Sequence, residues 1–174
     1  METDLMRTKH DAERKKYLME EVKSLGRNPK DYCYDLNTQN AYRIEHTKLG
    51  SYAYILINDK QGGLEAKVDL KDFYVKRLYS YRWVRMSSDP RRDYPHTNIL
   101  DGNGKLINLP LHVLVMGTIE GKVIDHNDGD HYNASRSNLN HVTTAQNNQN
   151  RHTSRKVNKY SNKPVRAEYV ALFA

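Results

Sequence analysis

"VIDHNDGDHYNASRSNLNHVTTAQNNQNR", residues 123–151, decides how this chain is read. An apolar pair, Val123-Ile124, runs directly into Asp125-His126, so "KVIDH" reads as a strand that delivers two polar side chains at its end. "DGDHYNASRSN" is a long turn rich in Gly, Asp, Asn and Ser. "LNHVT" is a second short strand, and Thr143 or Thr144 is placed to cap a following helix, "TAQNNQNRHTS". On that helix Asn147, Asn150, Arg151 and Ser154 fall on one face. Asn is a poor helix former, so the cluster at Asn147, Asn148 and Asn150 calls for a reason beyond helix propensity.

The unit is strand, loop, strand, helix. Facing elements of this kind place one carboxylate and one amide oxygen around a single ion, here Asp125 and Asn147. Both are hard oxygen donors, which suits Mg²⁺ or Mn²⁺, one ion per site, rather than zinc. Two protein ligands leave the other positions to water and to phosphate oxygens. His126 alternates to the other side of the strand from Asp125, where a neutral imidazole near pH 7 is suited to take a proton from an attacking water.

These residues resemble the HNH, or ββα-metal, nuclease motif. The resemblance is nearest to the phage and intron-encoded homing-endonuclease branch, whose last position is Asn. The "DH" is Asp125-His126, the middle Asn is Asn138 in "SNL", and the last position is Asn147 in "AQNNQN". The likeness extends upstream through "VDLKDFYVKRLYSYRW", "YPHTN", "DGNGK" and "LPLHVLVMG", and covers about residues 68–151. It implies a metal-dependent DNA endonuclease that hydrolyses phosphodiester bonds. His126 would be the general base. The ion on Asp125 and Asn147 would stabilise the charge on the phosphorus centre and the leaving 3′ oxygen. Asn138 would brace the loop and fix the His126 ring through a backbone carbonyl. Arg151 would hold a phosphate, and His131 and His141 would be bystanders.

The rest of the chain is read outward from this unit. The 174 residues carry 28 Lys and Arg against 21 Asp and Glu, a formal charge of +7. The mean hydropathy is −0.90 and the pI about 9.4. That balance favours a polyanionic partner, double-stranded DNA first. The single cysteine, Cys33, excludes an intrachain disulfide and a cysteine-rich zinc site. With no signal pattern and no long apolar run, the sequence reads as a reduced, soluble, cytoplasmic protein without membrane contact, and as a monomer by default. "DLMRTKHDAERKKYLMEEVKSLGRNPKDY" predicts a helix that buries Leu18, Val22 and Leu25 and stops at Gly26 and Pro29. Residues 32–58 predict strands, with "KQGG" a turn. The spacing of Phe73, Arg77 and Tyr81 predicts a helix across "VDLKDFYVKRLYSYRW". Asp101-Gly102-Asn103-Gly104 predicts a tight hairpin, and "LHVLVMG" a short apolar helix or strand.

The organisation read from the sequence is a small mixed α+β protein. It comprises an N-terminal helix (1–30), a β-rich positioning region (31–105), the ββα-metal motif (106–152) and a basic C-terminal arm (153–174). Arg151, Arg155, Lys156, Lys159, Lys163 and Arg166 are six cations with no acidic residue among them. This pattern points to backbone contacts with DNA, through Arg151, Arg155, Lys156 and Lys159 above all. The competing reading is a catalytically silent DNA-binding module on the same scaffold. An RNA-directed nuclease or structural nucleic-acid protein stands behind both.

Overall fold

The computed structural model describes residues 2–57, 63–85 and 93–152. The expected "KQGG" turn lies partly outside them, and the basic arm after residue 152 wholly outside.

The chain opens with α1 (Glu2–Ser24), a helix that ends where Gly26 takes φ 68° and Arg27 donates its N–H back to the Val22 carbonyl. A 3-10 turn at Pro29–Asp31 leads into β1 (Cys33–Asp35), β2 (Asn40–Thr47), β3 (Gly50–Ile57) and β4 (Leu64–Asp69), an antiparallel sheet in chain order. Alternation along β3 sends its side chains to two cores. Ala53, Ile55 and Ile57 enter the main one, while Leu56 joins Leu18 and Val22 of α1, Tyr32 and Ala41 on the other face.

The helix expected across "VDLKDFYVKRLYSYRW" is shorter than its spacing implies. Val68 and Asp69 finish β4, opposite Ala53 and Tyr52. Only α2 (Leu70–Val75) is α-helical, and a 3-10 turn at Leu78–Ser80 follows. Arg77 sits at φ 51°, a left-handed conformation that ends the helix after Phe73 is seated in the core. Pairing with β3 and the burial of Val68 outweigh the local helical pattern.

β5 (Val84–Arg85), β6 (Pro95–Leu100) and β7 (Leu106–Pro110) form a second antiparallel sheet. Its hairpin is built as the sequence predicts. The Asp101 carboxylate accepts from the N–H groups of Asn103 and Lys105 at 2.9 and 2.8 Å, and Gly104 takes φ 78°. "LHVLVM" forms a short helix, α3 (Leu111–Met116), which buries Leu111, Val113, Leu114 and Val115. Then come β8 (Lys122–His126), β9 (Leu139–Thr143) and α4 (Thr144–His152), with β8 and β9 paired antiparallel.

The loop between β8 and β9 is fastened to the first sheet along the β4 edge. Lys67 donates to the Tyr132 carbonyl and accepts from the Ala134 N–H, both at 2.8 Å. Arg136 adds a tie. Its N–H donates to Asp69 at 2.7 Å, its guanidinium grips Asp72 at 2.6 and 2.8 Å, and it also reaches the Val115 carbonyl at 3.0 Å. Asp72 is buried, so removing its partner strands a carboxylate away from water. The Arg136 side chain is half exposed, and water there screens part of the attraction. Arg136→Met is therefore expected to lower unfolding stability by about 2 kcal/mol, below the range for a fully dry pair. Urea denaturation measures it, and an unchanged midpoint would show that the tie contributes nothing.

Candidate active site

The strand–loop–strand–helix unit forms with the element boundaries close to those read from the sequence. Asp125 pairs with Asn140 and His126 with Leu139. Thr143 caps α4 reciprocally: its hydroxyl accepts from the Gln146 N–H at 3.2 Å, and the Gln146 side chain accepts from the Thr143 N–H at 2.9 Å. α4 packs against both strands, and Asn147 lies in its opening turn. Asp125 and Asn147 are both part-exposed.

Asn138 is buried, and its amide is the centre of the loop. It donates to the Asp128 carboxylate and to the Asn133 carbonyl, each at 2.8 Å, and accepts from the Asp128 N–H at 3.1 Å. The Asn138 carbonyl accepts from Asn127 at 2.9 Å. These bonds brace the loop. They do not fix the His126 ring, because the His126 carbonyl accepts from the Gly129 N–H at 3.0 Å and the Asn138 side chain goes elsewhere. Asp128 and Asp130 shape the turn, each accepting a backbone N–H two residues on. Burial alone would raise the Asp128 carboxyl; the hydrogen bonds from Asn133, the Asp130 N–H and Asn138 together hold it below its ordinary value.

His126 is 9% exposed, and its Nε2 is buried with no hydrogen-bond partner. Two other imidazoles lie against it. The His112 ring, from α3, stands edge-on at 5.1 Å between centroids, and the His131 ring, from the loop, is tilted at 5.3 Å. Tyr94 stands edge-on against His112 at 5.4 Å. Burial pulls the His126 pKa down to about 4, helped by repulsion from His131 and opposed by Asp128. Burial likewise holds His112 well below the ordinary imidazole value, with His126 and His131 adding to the effect. Both rings are therefore neutral at pH 7.

His131, expected to be a bystander, packs against the His126 ring. Its Nδ1 lies 2.9 Å from the Asp93 carbonyl, which can only accept, so that nitrogen donates. Asp93 is itself held by Arg85, at 2.8 and 2.7 Å, and by the Tyr132 hydroxyl. Burial would raise the Asp93 carboxyl, but these partners hold it below its usual range. His141 instead faces the Gly117 carbonyl at 3.2 Å. The side chain of Arg151, and all of Arg155, Lys156 and Lys159, lie outside the described residues. Sequence reasoning missed His112, Tyr94 and Asp93, since each reaches the site only through tertiary contact.

A depressed imidazole makes stability depend on pH with a definite sign. Above pH 6.5 His126 is neutral in both the folded and unfolded chains. Between 6.5 and about 4 the unfolded chain takes up a proton that the folded one refuses, so stability falls as the solution is acidified. The loss through this residue is expected to reach up to about 3 kcal/mol. Urea denaturation at pH 7.5 and 4.5 checks it against His126→Phe, which should lose less on acidification; parallel losses in the two proteins would remove His126 from the account. No family model, curated protein or solved structure matches this chain, so the site is read from its own residues.

Proposed function

We propose that this protein is a metal-dependent DNA endonuclease that hydrolyses phosphodiester bonds with His126 as general base. The observation that carries this reading is the strand–loop–strand–helix unit itself. It ends its first strand on a neutral imidazole, with Asp125 next to it in the strand and an Asn-bearing helix packed against the hairpin. The net charge of +7 supports a polyanionic substrate.

The donor set fits a hard, hydrated divalent ion. Asp125 and Asn147 each offer an oxygen, and both are part-exposed, so water can complete the shell. Bound Mg²⁺ or Mn²⁺ would supply charge neutralisation at the phosphorus centre and the leaving oxygen.

The protein's own residues do the rest. His126, free of a proton at pH 7, accepts one from water as the water oxygen bonds to phosphorus and the P–O3′ bond breaks. A phosphodiester brings negative charge beside the ring and raises its affinity for that proton, offsetting the effect of burial. Asn138 holds the loop in which Asp128 lies close enough to favour the imidazolium. Arg151, Arg155, Lys156 and Lys159 serve as phosphate contacts that set the register of the duplex.

Incubation with supercoiled plasmid tests the reading. In Mg²⁺ or Mn²⁺ the protein is expected to convert supercoiled to open circular DNA, and chelation should abolish the conversion. His126→Ala is expected to slow it by about a hundred- to ten-thousand-fold. Asp125→Ala and Asn147→Ala should each raise the metal concentration required. Binding to DNA without cleavage in either ion would favour a silent DNA-binding module instead.

A further inference from the structure

A catalytic imidazole needs something to hold its ring at one angle, and a hydrogen bond to a ring nitrogen is the usual device. His126 lacks one at Nε2, which is buried and unpartnered. The nearest bracing amide, Asn138, spends its bonds on Asp128 and Asn133. Among the described residues, two other rings lie against it. His112 meets it at 83° between planes and His131 at 56°, with centroids 5.1 and 5.3 Å away. Each neighbour is itself held from outside. Tyr94 packs edge-on against His112 at 79°, and the Asp93 carbonyl fixes His131 through Nδ1. Asp93 in turn is gripped by Arg85 and Tyr132. His112 comes from α3 and His131 from the loop, so the contacts join two separate parts of the chain across His126.

We propose that His112 and His131 are positioning residues that clamp the His126 ring by packing. Their shape matters to the site, and their ring nitrogens do not take part in the chemistry. Offset and edge-on contacts of this kind have a preferred geometry, and two of them from different directions leave a ring little freedom to turn about χ2. The clamp is defined by ring contacts alone; its consequence for catalysis rests on the nuclease reading above.

Alanine and phenylalanine variants separate shape from chemistry. His112→Ala and His131→Ala remove a ring; His112→Phe and His131→Phe keep it. The first measurement is independent of nuclease activity. It follows the rate at which diethyl pyrocarbonate modifies His126, mapped by peptide mass, with the buried His96 as internal control for unfolding. Modification of His126 is expected to rise about tenfold or more in each Ala variant as the ring is freed, and to stay within about twofold of wild type in His112→Phe, while His131→Phe, which gives up the Asp93 bond, should fall between its Ala counterpart and wild type. The second measurement is plasmid nicking. The Ala variants should lose about ten- to a hundred-fold in kcat with KM nearly unchanged, and His112→Phe no more than about threefold, as misplacement of one reacting group predicts.

His112→Phe as impaired as His112→Ala would overturn the clamp in favour of a chemical role for the ring nitrogens, since His112 Nδ1 has no bond to lose. Ala variants with unaltered His126 reactivity and unaltered nicking would overturn it outright. If His96 also becomes reactive in an Ala variant, that variant has unfolded and the Phe variant decides. Should wild-type protein fail to nick DNA, the nuclease reading falls, while the modification rates still judge the clamp.

Discussion

The side-chain amide of Asn138 is the constraint on which the site depends. The segment between β8 and β9 is polar and contributes little to the core beyond Ala134 and part of Tyr132. Hydrophobic burial cannot hold such a segment in one shape, so hydrogen bonds must. One amide supplies three of them, using both donors and the carbonyl, and it is buried where water cannot compete. With the loop closed around Asn138, Lys67 can zip the Tyr132–Ala134 stretch to β4 and Arg136 can reach Asp72. Those contacts bring His131 beside His126. All of these contacts fall on the one loop that also carries His131, so the Asn138 amide bears on what surrounds the His126 ring.

Much of this was legible because its causes are local. The ends of β8 and β9, the Thr143 cap with Gln146, the hairpin built on Asp101 and the stop of α1 at Gly26 are all decided within a few residues by turn chemistry, alternation or capping. Local reasoning failed where distant partners decide. The periodicity at Phe73, Arg77 and Tyr81 predicted a longer helix, but β3 claims Val68 and Asp69, and Arg77 turns left-handed. His131 looked like one polar residue among many in "DGDHYN"; only the Asp93 carbonyl, far upstream in sequence, gives its ring a fixed orientation. His112 carries no local signal at all: its Nδ1 is buried without a partner and its ring faces His126. The cluster of Asn on α4 was the one anomaly of propensity visible from the start, and the helix forms despite it.

The unpartnered nitrogens are a cost that has to be offset. A buried polar atom left without a hydrogen bond disfavours folding by about 1–3 kcal/mol, and the His112 and His126 rings each carry one. Local penalties of this kind are more often found at functional sites than in the structural core, where sequence is free to remove them. Here the compensation is close by. α3 inserts Leu111, Val113, Leu114 and Val115 into the main core alongside Trp83 and Phe73, and β9 adds Leu139. His112 is thus mounted on an element rich in core contacts, and His126 lies opposite Leu139, which is in that core.

Leu139 also settles which side chain becomes the buried one. It lies directly opposite His126 in the β8–β9 ladder and is 2% exposed within the main core. Side chains alternate with a period of two along a strand, so a slip of one residue would exchange the two faces of β8. Asp125 would then lie opposite Leu139, its carboxylate forced toward apolar surroundings, and His126 would be moved away from His112 and His131. Burying an unpaired carboxylate costs far more than burying a neutral imidazole. The slipped register is therefore disfavoured twice, once by the leucine it displaces and once by the charge it buries. A single apolar contact on the far strand thereby keeps the carboxylate part-exposed and the imidazole buried.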